Sequence, residues 1–213
     1  PNQRLTMDEM LLIGMLIGDG TLGGDSVSFT NSDITLIDEF QRCVKSRSAS
    51  PENIEFIIRS QDGVEVDKVY NIYIKTKYAK KSLDNLISKL GLNVKSAQKH
   101  IPNSFMLYPP SEKLQCLLAG LFSTDGGYVS QSNSIEYYTT SKSLAQDVKH
   151  LLLKFGIYSY VSSYPVKGYK CISYKVRISQ KDALLNFEKY ILPYMVGNKI
   201  YEFKDIFEKL KSL

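Results

Sequence analysis

A stretch of nine residues that occurs twice limits the fold of this chain more than any other feature. Near the start it reads Leu12-Ile13-Gly14-Met15-Leu16-Ile17-Gly18-Asp19-Gly20, and past the middle Leu118-Ala119-Gly120-Leu121-Phe122-Ser123-Thr124-Asp125-Gly126. Each copy is an apolar helical run containing small residues and ending in one carboxylate and a glycine. Gly14 and Gly18 stand four residues apart, with Gly120 and Thr124 at the matching positions. Small residues at that spacing clear one helix face, so two helix backbones can approach closely. In membranes the same spacing signals dimerisation; these runs are too short for that, and packing between two subdomains is expected. Asp19 and Asp125 would then meet on an internal pseudo-dyad.

The rest of the sequence repeats in the same order. Thr6 and Glu9 form a capping box ahead of the first run. A hairpin is expected from Thr21-Leu22 through a Gly23-Gly24-Asp25 turn to Val27-Thr30. A second helix, capped by Asn31 or Ser32, follows with apolar positions Ile34, Ile37, Phe40 and Val44. Strands at 54–59 and 68–75, joined near Asp62-Gly63, lead to a helix from Lys77 to Leu90 with Gly91 as a left-handed cap. The second half answers with a helix capped by Ser111, strands at 128–130 and 135–139, and a helix at 142–155. Strands at 158–164 and 171–179, turning at Lys167-Gly168, and a helix at 181–192 complete it. Phe29-Thr30-Asn31-Ser32 is matched with Tyr138-Thr139-Thr140-Ser141, and residues 70–75 with 174–179. The final helix has no counterpart in the first half. The fold class is α+β: two pseudo-symmetric αββαββα subdomains, 1–91 and 112–213, joined by a linker at 92–111.

Bulk properties exclude several classes. No apolar run approaches the roughly 18–20 residues of a membrane span. The segment ahead of the first motif carries Arg4, Asp8 and Glu9, which do not form a signal peptide, so an intracellular protein (cytoplasmic or organellar) is expected. Three scattered cysteines and two histidines give neither a zinc site nor a disulfide framework. The net charge of +5 permits a polyanionic partner without demanding one. Arg42, Lys45 and Arg47 form one basic cluster and Lys75, Lys77, Lys80 and Lys81 another. Lys95, Lys99 and His100 make a third, and Lys167, Lys170, Lys175 and Arg177 a fourth; any one alone is an ordinary solvated face.

The placement of the acids carries chemistry. A helix C-terminus holds about half a negative charge. Two such ends with two carboxylates concentrate negative charge and raise each other's pKa. A divalent cation with a preference for oxygen, Mg²⁺ above all, relieves this. One Asp-Gly pair by itself reads as a turn cap; the symmetric pair favours the metal. The strands add a surface. In the first half Asn71, Tyr73 and Lys75 share one face, and in the second Ser173, Lys175, Arg177 and Ser179 do. A polar sheet face of this kind can lie along a nucleic-acid duplex, although any half-exposed sheet needs a polar side.

At these residues the chain resembles the LAGLIDADG homing endonucleases. Leu118, Ala119, Gly120, Leu121, Asp125 and Gly126 match the family signature, and Leu12, Gly14, Asp19 and Gly20 match it more loosely. Ile17 and Ser123 replace a variable acid. Lys99-His100-Ile101-Pro102 resembles the block preceding the second motif in intein-borne members. The resemblance implies a monomeric enzyme making metal-dependent double-strand breaks, with 3′ overhangs, in a long asymmetric DNA target, using Mg²⁺ or Mn²⁺. It implies Asp19 and Asp125 as metal ligands, with the carbonyls of Gly18 and Thr124 as further ligands. Lys99 maps onto the basic residue beside one scissile phosphate, and Lys175 is its candidate partner. Gly14, Gly18, Gly120 and Thr124 form the subdomain interface. Ser28, Thr30, Asn71, Tyr73, Lys75, Tyr137, Thr139, Ser173, Arg177 and Ser179 are the expected DNA contacts.

The competing reading is a nucleic-acid-binding protein of the same fold without cleavage, such as an intron RNA maturase or a regulator. Both acids being present argues against it. A splicing intein begins with Cys or Ser and ends in His-Asn; the sequence from Pro1 to Leu213 carries neither, so splicing is not expected of it.

Overall fold

In the computed structural model, which describes residues 5–24, 26–61, 68–168 and 170–211, the first apolar run forms α1 (Met7–Asp19). Its capping box is complete: Glu9 N donates to Thr6 Oγ1 at 3.1 Å and Thr6 N to Glu9 Oε2 at 2.8 Å. Every residue from Met10 to Ile17 is buried, as expected of a helix that is apolar on all sides. Its partner is the second motif helix, here α5, and both lie at the centre of a single hydrophobic core.

After α1 the chain runs β1 (Gly20–Thr21), β2 (Ser28–Asn31), α2 (Ile34–Lys45), β3 (Phe56–Gln61), β4 (Val69–Ile74) and α3 (Lys77–Lys89). The connection contains a short α4 (Asn103–Met106). Then come α5 (Glu112–Asp125), β5 (Gly126–Val129), β6 (Ser134–Thr139), α6 (Lys142–Leu153), β7 (Tyr160–Pro165), β8 (Ile172–Ile178), α7 (Lys181–Tyr190) and α8 (Lys199–Lys211). Two four-stranded antiparallel sheets result, ordered β1-β2-β4-β3 and β5-β6-β8-β7. The α+β architecture with two pseudo-symmetric halves is as expected. Asp25 and the Asp62-Gly63 turn lie outside the described residues.

Close approach of the two motif helices explains their small residues. A Cβ on Gly120 would stand 2.5 Å from the Leu11 carbonyl oxygen and 3.0 Å from Gly14 Cα, so nothing larger fits. Gly20 and Gly126 solve a different problem. The chain passes directly from helix into extended backbone there, and a Cβ would lie 2.9 Å from Leu16 Cα or Phe122 Cα respectively. The Asp-Gly ending is thus a device for turning a buried helix straight into a strand.

Some local expectations are corrected. The cap of α2 is Asp33, not Asn31 or Ser32; its Oδ1 accepts from Thr35 N and Leu36 N. Ser111 precedes α5 but makes no side-chain cap bond. The larger correction concerns register. Gly20 pairs with Phe29 and Gly126 with Tyr137, so Phe29 corresponds to Tyr137 rather than Tyr138. Because side chains alternate along a strand, a slip of one residue transfers every side chain to the other face. Asn31 therefore corresponds to Thr139, and the helix caps Asp33 and Ser141 to each other.

Candidate active site and nucleic-acid interface

The C-terminal ends of α1 and α5 bring the two acids together. Asp125 Oδ2 lies 3.3 Å from where a Cβ on Gly18 would be, which places the second carboxylate against the first helix. Burial raises the pKa of Asp19, opposed by a 2.6 Å hydrogen bond from Asn31 Nδ2 and by the charges of Lys199 and Lys99. Asp125 is pushed up to about 7, first by burial and then by the charge of Asp19. The place of Asn31 is taken in the second half by Thr139, whose Oγ1 accepts from Ser141 N instead of engaging Asp125. Among the described residues no three His, Cys, Asp or Glu side chains cluster as a metal site. Two carboxylates among carbonyls form an all-oxygen donor set, which fits a hard cation needing ligands from a second molecule.

Two lysines complete the centre, one at the end of each motif helix. Lys99 is 6% exposed, and its Nζ donates to the carbonyls of Gly18 at 2.6 Å and Gly20 at 2.9 Å. Burial lowers its pKa while Asp125 and Asp19 oppose the shift. The expected partner, Lys175, is elsewhere: it pairs with Glu136 at 3.1 Å. The second lysine is Lys199, whose Nζ donates to the Thr124 carbonyl and whose charge acts on both acids. Sequence reasoning missed it because it opens a helix without counterpart. A signal existed: Lys99 follows the buried Leu92 by the same interval as Lys199 follows Leu192. The Gly18 and Thr124 carbonyls, expected as metal ligands, are thus already hydrogen-bonded by lysines, each retaining one lone pair.

The sheets carry a polar face each. In the first, Thr30 Oγ1 donates to Asn71 Oδ1 at 2.6 Å, and the Arg59 guanidinium lies over Tyr73 at 5.4 Å. Lys75 is exposed at its edge and pairs with Glu55. Ser28, expected as a contact, is only 7% exposed and so offers DNA almost no surface. In the second, Ser173, Lys175 and Arg177 are half-buried and Ser179 is exposed beyond the strand. Tyr137 is corrected: it is wholly buried against Phe122, ring centroids 5.4 Å apart, because the slipped register had assigned it to the wrong face. That register also misassigned Thr139, which lines a cavity of about 290 Å³ with Gly18, Lys99, Asp125 and Ser173. The polar face belongs instead to Glu136 and Tyr138. Glu136 is 2% exposed and is clamped by Lys175, Arg177 at 3.8 Å and the Tyr138 hydroxyl.

Residues 112–192 match a LAGLIDADG-like domain. The fold is similar to that of the homing endonuclease I-WcaI bound to its DNA recognition sequence (TM-score 0.64, 19% identity, 92% of this chain and 85% of that one). It is also similar to I-DmoI in complex with DNA and Mn (0.56, 16%, 87% and 96%), and to full-length DUF199/WhiA of Thermatoga maritima (0.58, 12%, 98% and 63%). Fold and site define a single-chain protein with two motifs on an internal dyad. Its second half is a LAGLIDADG-like domain, and the whole chain has the fold of the homing endonucleases to which it is similar. Among curated proteins it is 30% identical to a segment of the replicative DNA helicase DnaB of Nostoc sp., over 99% of this chain and 24% of that protein. The same identity relates it to the replication factor C small subunit of Methanocaldococcus jannaschii, over 82% of this chain and 9% of that protein. Protein RecA of Mycobacterium tuberculosis is 30% identical over 86% and 24%. The chain spans about a quarter or less of these relatives.

Proposed function

We propose that this chain is a site-specific DNA endonuclease that makes double-strand breaks, leaving 3′ overhangs, in a long asymmetric target. The observation that carries the proposal is the pair of half-buried carboxylates at the ends of the two motif helices, each motif end held by a lysine. Two neighbouring acids whose pKa values burial raises, with the charge of Asp19 raising that of Asp125 further, are an unfavourable arrangement for stability alone.

Asp19 and Asp125 would hold Mg²⁺ or Mn²⁺, with the free lone pairs of the Gly18 and Thr124 carbonyls and DNA phosphates filling the remaining positions. The bound ion would supply an activated water and offset negative charge on the phosphate and leaving oxygen. Asn31 orients the Asp19 carboxylate. Lys99 and Lys199 present ammonium groups where phosphate charge develops, and their fixed positions avoid reorganisation during reaction. The two sheet faces would engage successive stretches of the major groove, Arg59, Lys175 and Arg177 meeting phosphates or guanine and Asn71 adenine.

The replicative DNA helicase DnaB, the replication factor C small subunit and protein RecA share a segment like this one as a minor part of their length. That distribution supports a mobile module that inserts into unrelated host genes, as an endonuclease acting on DNA at the insertion site would achieve.

The deciding experiment incubates the protein with a randomised duplex library and Mg²⁺, with Ca²⁺ and EDTA as controls. Discrete cleavage in Mg²⁺ alone is expected. The Asp19→Asn/Asp125→Asn double variant should bind the selected site without cutting it, and cutting by that variant would refute the assignment of the acids.

A further inference from the structure

Each lysine of the centre reaches back to the motif helix that precedes it, while the backbone at or beside it is tied to the other half. Lys99 lies in the connection that follows the first half, and its ammonium returns to the end of α1. Its carbonyl, however, accepts a 2.5 Å hydrogen bond from Ser141 Oγ, the N-cap of α6 in the second half. Ser141 is wholly buried, and the same oxygen accepts from Leu144 N at 3.2 Å, so both its donor and one acceptor position are committed. Two residues on, Ile101 N donates to Asp147 Oδ2 of α6 at 3.0 Å.

The mirror arrangement holds for Lys199. It opens α8, after α7, and its ammonium returns to the end of α5. The residue before it, Asn198, donates its backbone N–H to Asp33 Oδ2, where Asp33 is the N-cap of α2 in the first half. Gly197 makes this approach feasible: its φ of +81° suits glycine, and a Cβ there would lie 2.7 Å from Asp33 Oδ2. Asp33 and Ser141 occupy equivalent positions, so the two anchors are related by the internal dyad although one is a carboxylate and the other a hydroxyl.

We propose that Ser141 and Asp33 are positioning residues that place Lys99 and Lys199 across the dyad, so that each half's helix cap sets the lysine of the other half's cleavage centre. The inference rests on the endonuclease reading for its consequence. Misplacing a catalytic group by about 1 Å costs up to roughly a hundredfold in rate. Loss of one anchor therefore impairs one centre and leaves the other in place, turning a double-strand cutter into a strand-selective nicking enzyme.

The test measures single-turnover cleavage of a duplex labelled separately on each strand, with Lys99→Ala and Lys199→Ala identifying which strand each lysine serves. Ser141→Ala should slow the Lys99 strand by about tenfold or more and Asp33→Ala the Lys199 strand, while target affinity stays constant. Ser141→Thr and Asp33→Asn, which keep the oxygen, should restore both rates. A general loss of helix capping would slow both strands together, and that outcome, or slowing of the strand opposite to the one named, overturns the proposal. Hydrogen exchange separates failure of the anchoring from failure of the endonuclease reading. Even if the wild-type protein cuts no DNA, Ser141→Ala must deprotect amides of 99–101 and spare 197–200, with the reverse for Asp33→Ala. Equal loosening of both segments refutes the cross-anchoring.

Discussion

Asp19 and Asp125 occupy equivalent turns but do not have equivalent surroundings, and the difference runs through both halves. Asp19 is held by Asn31, whereas the corresponding Thr139 turns to its own helix cap. On the core side, Phe29 stacks on Phe40 with centroids 4.6 Å apart, while its counterpart Tyr137 carries a buried hydroxyl with no hydrogen-bond partner among the described residues. On the groove side, the first sheet offers Arg59, Asn71 and Tyr73, and the second holds Lys175 and Arg177 around a buried carboxylate, Glu136. The frame was kept strictly, since two backbones must pass within contact at Gly14 and Gly120. The residues around the frame diverged, as an asymmetric DNA target would require.

The largest effects should come from the acids. Asp19→Asn and Asp125→Asn are each expected to lower double-strand cleavage by roughly two to three orders of magnitude, measured as single-turnover rates. They should differ in stability. Removing the charge from Asp125, the more strongly perturbed group, should raise the metal-free melting temperature more than removing it from Asp19, where Asn31 loses a charged acceptor. Equal shifts would mean that Asn31 does not distinguish the two sites.

Gly120→Leu tests what the halves share. Leucine would drive into the Leu11 carbonyl and Gly14, and the cost should exceed about 3 kcal/mol, the upper part of the usual overpacking range. Chemical denaturation should show one transition of much lower stability, and a variant of unchanged stability would contradict the packing.

The raised pKa of Asp125 sets a pH dependence. Its folded value of about 7 lies above the unfolded 3.8, so between them the native state binds more protons than the unfolded one. Metal-free stability should therefore fall as pH rises from about 4 to about 7, with a limiting slope of about 1.4 kcal/mol per pH unit, and level off above. Mg²⁺ binding to the ionised acids should remove most of this fall. Thermal melts with EDTA and with Mg²⁺ across that range provide the check, and parallel curves would place the metal elsewhere.

Much of this architecture is legible in the sequence because duplication supplies an internal control. The motif helices, both sheets, Gly91 with its positive φ, and the two acids follow from periodicity, turn residues and repetition. What escapes has a common physical cause. Strand register has a period of two, so a repeat aligned on Phe29 and Tyr138 instead of Phe29 and Tyr137 puts Tyr137 in the groove and hides Glu136. Lys199 escapes because its role depends on the chain returning across the dyad, which local patterns do not encode. Lys175 looks catalytic for the complementary reason: a lysine on a polar strand shows its charge in sequence but not the carboxylate that holds it.

Glu136→Gln would sharpen the contrast between the grooves. The amide keeps the shape but releases the charge that now restrains Lys175 and Arg177. Affinity for non-specific duplex should rise about tenfold at low salt, and the slope of log K against log salt should steepen by about one. Discrimination at the base pairs under the second sheet should fall, since freed cations favour phosphates over base edges. Unchanged salt dependence would show that the two cations do not meet DNA.

Tyr137→Phe makes the second core resemble the first and should have the smallest effect. The hydroxyl has no partner among the described residues, and burial, reinforced by the charges of Asp125 and Asp19, holds its pKa high, so it stays neutral. Removing an unsatisfied polar atom without altering ring packing should be neutral or stabilising by up to about 1 kcal/mol. If the hydroxyl instead gains a partner when the acids bind metal, the same substitution would leave the metal-free protein unharmed and slow cleavage. Comparing melting temperature in EDTA with cleavage rate in Mg²⁺ decides between a passive difference in packing and a functional asymmetry between the two centres.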